Sequence, residues 1–323
     1  MDQNSIVVLA DPTEPQLAML DRLPPETSIA VGTSTEAFER AAPDAGVIFY
    51  WSGPGPLLRD VFEMCPRVRW VHSRNAGLDN LLFPELIESP VPLTNGTGLF
   101  SQSLGEFALG AILYFAKDFR RMIRNQAAGV WEPFDIVEIS GQTVGIVGYG
   151  DIGRAVAARV HAMGMEVLAL KRGVPPPDQR DPLIAEYYTP DRRREMMARS
   201  DYVVVAAPLT AETRGIVGEF ELRALKPDAV VINLGRGPVI DEAALIEALA
   251  GKRIKGAALD VFDTEPLPAG HPFYTMENVL LSPHCADHTS DWLDQAMNFF
   301  LEQFERFRQG EPLRNVVNKR LGY

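Results

Sequence analysis

The sequence predicts an α/β protein made of two doubly wound units, each a parallel sheet covered by helices on both faces. Three observations carry this. Short β-branched runs alternate with helix-length segments almost from end to end. Most of the runs are strongly apolar, as strands covered on both faces are. They also fall into two series, which implies two α/β units. The first series is Ile6–Ala10, Ser28–Val31, Val47–Tyr50, Arg69–His72 and Pro92–Asn95. The second is Thr143–Gly148, Glu166–Lys171, Tyr202–Ala206, Ala229–Leu234, Gly256–Asp260 and Val279–Ser282.

Two long helices mark the crossings between the units. Leu104, Phe107, Ala108, Ala111, Ile112 and Phe115 recur at helical spacing, predicting one helix over Gln102–Arg124. A second helix over Ser290–Gln309 carries Trp292, Met297, Phe299, Phe300, Phe304 and Phe307. The tail beyond it has no strand series of its own and is expected to pack back on the first unit. The expected organisation is a discontinuous substrate-binding domain, 1–100 plus 287–323, enclosing a dinucleotide-binding domain at 101–286, with an active cleft between them. The proline-rich stretch Val174–Pro182 reads as a loop.

Charge and cysteine content narrow the function classes. The 323 residues carry a formal charge of −12. A surface that acidic repels phosphate backbones and anionic lipid, so neither nucleic acid nor membrane is an expected partner. Any anionic ligand must be held by a local cluster of donors. Two cysteines, Cys65 and Cys285, are too few for a disulfide framework or a structural zinc site, and no metal is expected. The strongest apolar stretch, Phe107–Ala116, is about half of a membrane span. Met1, Asp2 and Gln3 form no basic region ahead of Ile6–Ala10, so a reducing, cytoplasmic compartment is expected.

The run Thr143–Val147 leads into Gly148-Tyr149-Gly150-Asp151-Ile152-Gly153 and then into a helix over Arg154–Met163. The first glycine permits a tight turn, the second lets backbone approach a pyrophosphate, and the third permits close helix packing. The helix N-terminus adds amide donors and the positive end of a dipole. An acid would be expected at the end of the next strand to bind ribose hydroxyls. Lys171 stands there, followed by Arg172. A basic pair attracts a 2′-phosphate, which favours NADP(H), with NAD(H) as the alternative cofactor.

Three later strands each end in isolated polar residues. They are Val231-Ile232-Asn233-Leu234-Gly235-Arg236-Gly237, where an arginine sits between two glycines, Ala258-Leu259-Asp260-Val261-Phe262-Asp263-Thr264-Glu265-Pro266 and Leu281-Ser282-Pro283-His284. Carboxyl ends of parallel strands are where open α/β sheets bind ligands. Over nearly its full length, this order of motifs resembles the D-isomer-specific 2-hydroxyacid dehydrogenase family. The resemblance implies two Rossmann-like/flavodoxin-like domains, hydride exchange with a nicotinamide, and a catalytic set of Arg236, Glu265 and His284. The chemistry agrees. Arg236 has the permanently charged fork suited to a carboxylate and a polarised carbonyl. His284 can deliver a proton near neutrality, and Glu265 facing it would favour the imidazolium.

Other segments fit the same resemblance. Ser73-Arg74-Asn75-Ala76-Gly77 looks like the family's substrate loop, in which small residues at Ala76 and Gly77 allow close approach to backbone amides. Trp51 and Phe100 are further substrate-binding candidates, with Trp51 reading equally as a core aromatic. Ala207, Pro208 and Thr213 resemble the segment lining the adenosine side, while Leu234, Gly235, Asp260 and Ala286 complete the cofactor candidates. Asp260 reads either as a group orienting the nicotinamide region or Arg236, or as a turn cap. His72, His161, His271 and His288 read as core or surface side chains. Cys285 is expected to point away from His284, because neighbours on a strand face opposite ways.

The expected function is NAD(P)-dependent reduction of a 2-oxo acid, glyoxylate or hydroxypyruvate, by an NADPH-preferring homodimer. A formate-dehydrogenase relative should carry glutamine in place of Glu265. A phosphoglycerate-dehydrogenase-like enzyme without a regulatory domain is one alternative. An NAD(H)-sensing corepressor-type binding protein on the same scaffold is another.

Overall fold

The computed structural model describes residues 5–323. The chain divides into two compact units, one running to Leu99 and resuming over Thr289–Tyr323, the other Phe100–His288. In the first, strands β1 (Ser5–Leu9), β2 (Ser28–Gly32), β3 (Val47–Tyr50), β4 (Trp70–Ser73) and β5 (Leu93–Thr94) are joined partly by helices α1 (Gly55–Met64) and α2 (Pro84–Glu88). They form a parallel sheet in the order β2-β1-β3-β4-β5. That order is the flavodoxin-like one.

The second unit opens with α3 (Ser101–Ala116) and α4 (Phe119–Ala128). These replace the single helix expected over 102–124. Asp118 adopts a left-handed conformation, φ 50°, and its carboxylate accepts the Arg121 amide, so one helix ends and another begins there. Burial stops at the same point: α3 buries Leu104, Ala108, Ile112 and Phe115, whereas α4 buries nothing. Phe100, expected to close the first unit, instead lies in the second and precedes α3.

There follow β6 (Thr143–Val147), α5 (Asp151–Ala162), β7 (Glu166–Leu170), β8 (Glu186–Tyr188), α6 (Arg193–Arg199), β9 (Tyr202–Val205), α7 (Glu219–Ala224), β10 (Val230–Asn233), α8 (Glu242–Ala250), β11 (Gly256–Leu259) and β12 (Val279–Leu281). The sheet order β12-β11-β10-β9-β6-β7-β8 is the dinucleotide-binding one extended by an edge strand. Strand β8 is absent from the sequence-based expectation, because Glu-Tyr-Tyr is too short to show a period. Val147, Val205, Asn233, Leu259 and Leu281 sit side by side across five neighbouring strands. The polar motifs that follow these strands therefore emerge at one edge.

The last helix, α9 (Trp292–Gln309), returns to the first unit. Phe300 stacks on Phe49 at 3.8 Å and on Trp70 at 5.5 Å, filling one face of the sheet. The buried amide of Gln303 bonds Arg314 in both directions, and the Val317 amide reaches Leu93. The tail is thus fastened to this unit. Among the described residues, no helix is long and apolar enough to cross a membrane.

His72 lies inside this aromatic core, 1% exposed, with Nδ1 2.7 Å from the Thr94 hydroxyl. Burial drives its pKa down to about 3. The unfolded chain takes up a proton at this residue below about pH 6.5, while the folded chain stays neutral there until near pH 3. Stability is therefore lost as pH falls, by about 1.4 kcal/mol per unit across that window. In urea titrations between pH 7 and 4.5, His72→Asn should lose stability less steeply than the wild type. Parallel pH profiles would show that His72 is not held neutral.

Candidate active site

The phosphate-binding turn is shaped by what its glycines exclude. Gly148 has φ +92°, and a Cβ there would lie 2.6 Å from the Ala207 backbone. A Cβ on Gly153 would meet the Gly148 carbonyl at 2.6 Å. Neither position can hold a side chain without moving main chain. Gly150, at the N-cap of α5, has nothing within 4 Å of its Cβ position, leaving open space before the helix amides. Asp151 is exposed in the first turn of α5, while Ile152 packs against the core.

Tyr149 turns aside from this opening. Its hydroxyl donates to Asp181 Oδ2 at 2.9 Å, and Lys171 Nζ lies 5.9 Å from its ring centre. Lys171 directly follows β7 and is fixed by its amide, which donates to the Tyr188 carbonyl. Arg172 is exposed and pairs with Glu212 at 3.4 Å.

Ala207 is the meeting point of two turns, since a Cβ on Gly235 would also collide with its carbonyl at 2.6 Å. Pro208 and Thr213 belong to a loop closed on itself. The Thr213 hydroxyl donates to the Pro208 carbonyl at 2.6 Å and accepts the Thr210 amide at 2.8 Å. The structure thus gives Thr213 a fastening role where a cofactor contact is expected from the sequence.

Asn233, 1% exposed and not singled out by sequence, shapes the turn carrying Arg236. Its Oδ1 accepts the Gly235 amide and its Nδ2 donates to the Arg236 carbonyl, both at 3.1 Å. Arg236 Nη1 donates to the Gly235 carbonyl at 2.8 Å. A Cβ on Gly237 would fall 2.0 Å from the Phe262 carbonyl carbon, so this turn lies hard against the segment after β11. Buried Leu234 anchors its base.

Glu265 and His284 form a direct pair. His284 Nδ1 is 2.7 Å from Glu265 Oε2, and Glu265 Oε1 accepts the Phe262 amide at 2.9 Å. With Nδ1–H committed to the carboxylate, Nε2 is the ring nitrogen left for another partner. The Glu265 bond raises the His284 pKa above its ordinary value against the opposing effect of burial and the nearby Arg236 charge. Burial pushes the Glu265 carboxyl up, but the His284 bond, the Phe262 amide, and the His284 and Arg236 charges together hold it below its usual range.

His284 does not lie on a strand, which corrects the basis for placing Cys285. Strand β12 ends at Leu281, and His284 has φ +51° in the turn beyond. Cys285 Sγ lies 3.5 Å from the Ser282 hydroxyl, while His284 turns to Glu265. Asp260, 2% exposed, holds this turn. Its Oδ1 accepts the Ser282 hydroxyl at 2.6 Å and the amides of Cys285 and Ala286 at 2.9 and 3.1 Å. These bonds make Asp260 a turn-capping group for the His284 segment. The Ala286 carbonyl accepts from Ser103.

In the first unit, Arg74 is sandwiched between Trp51 and Trp292, 4.7 and 5.2 Å from the rings. Trp51 is fully enclosed and its indole donates to Glu14, so it supports Arg74 and presents no open face. The following loop is pinned by Asn95, whose amide donates to the Ala76 carbonyl at 2.6 Å, while the Asn75 carbonyl accepts from Gly96. Ala76 is exposed and Gly77 half-buried. Phe100 is buried at the start of α3. His271 bonds Glu242 and His288 lies 3.7 Å from Asp287, while His161 is exposed.

Residues 109–286 match the family model for the D-isomer specific 2-hydroxyacid dehydrogenase NAD binding domain. The chain belongs to this family and is an oxidoreductase acting on the CH–OH group of 2-hydroxy acids. It is 33% identical to the glyoxylate reductase of Korarchaeum cryptofilum, covering 82% of this chain and 80% of that one. It is 31% identical to the D-3-phosphoglycerate dehydrogenase of Methanocaldococcus jannaschii over 91% of this chain, but spans only 55% of that protein's length. Among solved structures it superimposes on an NADPH-dependent glyoxylate/hydroxypyruvate reductase of Sinorhizobium meliloti, in complex with NADP and sulfate. That match has a TM-score of 0.86 and 28% identity, and covers 99% and 100% of the two chains.

The pair predicts a measurable titration. Histidine ring NMR should place the His284 pKa above 6.5 in the wild type, and Glu265→Gln should lower it, because the imidazolium loses its anionic partner. An unshifted His284 in that variant would contradict the pairing.

Proposed function

We propose that the chain is an NADPH-preferring reductase of small 2-oxo acids, acting on glyoxylate or hydroxypyruvate. The observation that carries this is the Glu265–His284 pair, tuned toward the imidazolium and set within the electrostatic reach of Arg236. The second unit fits a dinucleotide: the space at Gly150 before α5 suits a pyrophosphate, and Lys171 and Arg172 suit a 2′-phosphate. A reduced nicotinamide bound there would supply the hydride. His284 Nε2–H gives its proton to the carbonyl oxygen, and Glu265 stabilises the charged ring until then. Arg236 meets the substrate carboxylate and polarises the carbonyl. The loop Arg74-Asn75-Ala76-Gly77 is assigned to the substrate carboxylate through its amides.

The relatives named glyoxylate reductase support the substrate class, and the Sinorhizobium enzyme supports the cofactor. We assign the functional form as a homodimer. Ile123 on α4 and Trp131 and Ile136 beyond it are exposed apolar side chains, Trp131 96% exposed, and such side chains suit burial against a second copy.

Initial rates with small 2-oxo acids test the reading. Turnover of about 1 s⁻¹ or more is expected, and its absence with every acid would favour the nucleotide-sensing alternative. His284→Ala should cut kcat by about 10²–10⁴-fold while cofactor binding survives. Near-normal turnover would remove His284 from proton transfer.

Cofactor choice follows from charge. Two charge-assisted contacts from Lys171 and Arg172 should favour NADPH by about 10²-fold, less at high ionic strength. Replacing Lys171 with Asp and Arg172 with Ala should raise KM for NADPH and narrow that ratio. Equal use of both cofactors by the wild type would overturn the cofactor assignment and leave the reductase assignment standing.

A further inference from the structure

We propose that Asp181 is a positioning residue for cofactor selection, a clasp that ties the β7–β8 connection to the phosphate-binding turn and thereby sets Lys171 in place. The proposal rests on the assignment of Lys171 and Arg172 to the 2′-phosphate.

The connection between β7 and β8 is largely exposed and has only one short helical turn, Pro177–Gln179. A segment of that kind does not hold a charged side chain in place by packing. Asp181 is tied down within it, with a side chain 11% exposed, just ahead of Leu183 and Ile184, which pack against the core. Its Oδ2 accepts the Tyr149 hydroxyl at 2.9 Å and takes Arg154 Nε at 3.0 Å. Its Oδ1 accepts the Leu183 amide at 3.1 Å, and its own amide donates to the Tyr187 hydroxyl at 3.0 Å. Tyr149 stands between the fingerprint glycines and Arg154 lies in α5. The far end of the loop is therefore bonded to both halves of the strand–turn–helix that binds phosphate.

The same tyrosine ring carries Lys171 on its face, 5.9 Å from the centroid, and meets Tyr187 edge-on at 6.2 Å. Fixing the ring fixes the platform under the ammonium. A bare carboxylate here would repel a 2′-phosphate, but Arg154 balances it. Burial raises the Tyr149 pKa and the Asp181 bond raises it further, so the hydroxyl keeps its proton and remains the donor.

The test compares KM and kcat for NADPH and NADH in wild type, Asp181→Ala, Asp181→Asn, Tyr149→Phe and Lys171→Ala. Asp181→Ala should raise KM for NADPH roughly fivefold or more, the scale of one net hydrogen bond, with kcat retained and KM for NADH little changed. Asp181→Asn keeps an acceptor for Tyr149 and should stay within about twofold of wild type. Tyr149→Phe should reproduce the Asp181→Ala direction, which decides the matter if the alanine variant does not fold. An equal loss for both cofactors would reduce Asp181 to a stabilising residue and overturn the proposal. So would tighter NADPH binding in both Asp181 variants, the result of simple charge removal. If Lys171→Ala leaves the NADPH-to-NADH ratio unchanged, the 2′-phosphate assignment fails and the clasp falls with it. If Lys171→Ala lowers the ratio and Asp181→Ala does not, the clasp alone fails.

Discussion

A carboxylate taken out of water must be met by donors, and the way Asp260 meets that constraint organises the catalytic edge. Leaving a buried charge without partners costs several kcal/mol. Asp260 gathers the Ser282 hydroxyl and the Cys285 and Ala286 amides onto one oxygen. These three donors bracket His284 in sequence. The turn they close includes the left-handed backbone at His284, and from it the imidazole reaches Glu265. The geometry of the His284–Glu265 pair thus depends on a residue outside the pair.

Backbone crowding does for the cofactor edge what Asp260 does for His284. Gly148 and Gly235 both press against Ala207, and Gly237 presses against Phe262. Each contact requires a missing Cβ. Parallel register brings the ends of β6, β9, β10, β11 and β12 level, so these close approaches draw the phosphate turn, the Arg236 turn and the Glu265 segment to one edge. Asn233 completes the set by bonding both sides of the Arg236 turn from beneath.

What the sequence made legible follows a physical pattern. The fingerprint glycines, Arg236, Glu265 and His284 stand out because isolated polar or flexible residues interrupt apolar strand ends. Both sheets were legible because most of their strands, such as β1, β3, β6, β9 and β10, are buried on two faces and so read as near-continuous apolar runs. Asn233 was hidden inside such a run. Asp181 was hidden in a proline-rich loop, where an acid looks like ordinary solvated charge. The break at Asp118 escaped notice because Phe119, Met122 and Ile123 continue an apolar helical pattern, although the structure leaves them exposed. Trp51 settles a choice the sequence left open: an aromatic at a strand end reads either as reaching a cleft or as core, and its indole is enclosed and bonded to Glu14.

The proposed reaction moves a hydride to the carbonyl carbon of a 2-oxo acid while His284 supplies the proton. Isotope tracing addresses that most directly. Glyoxylate would be incubated with the enzyme and NADPH carrying deuterium at both C4 positions, in ordinary water, and the glycolate analysed by mass spectrometry. The account predicts one deuterium on the product's C2 carbon in every turnover, with the hydroxyl proton drawn from exchangeable groups. Glycolate without that label, or no glycolate at all, would contradict it.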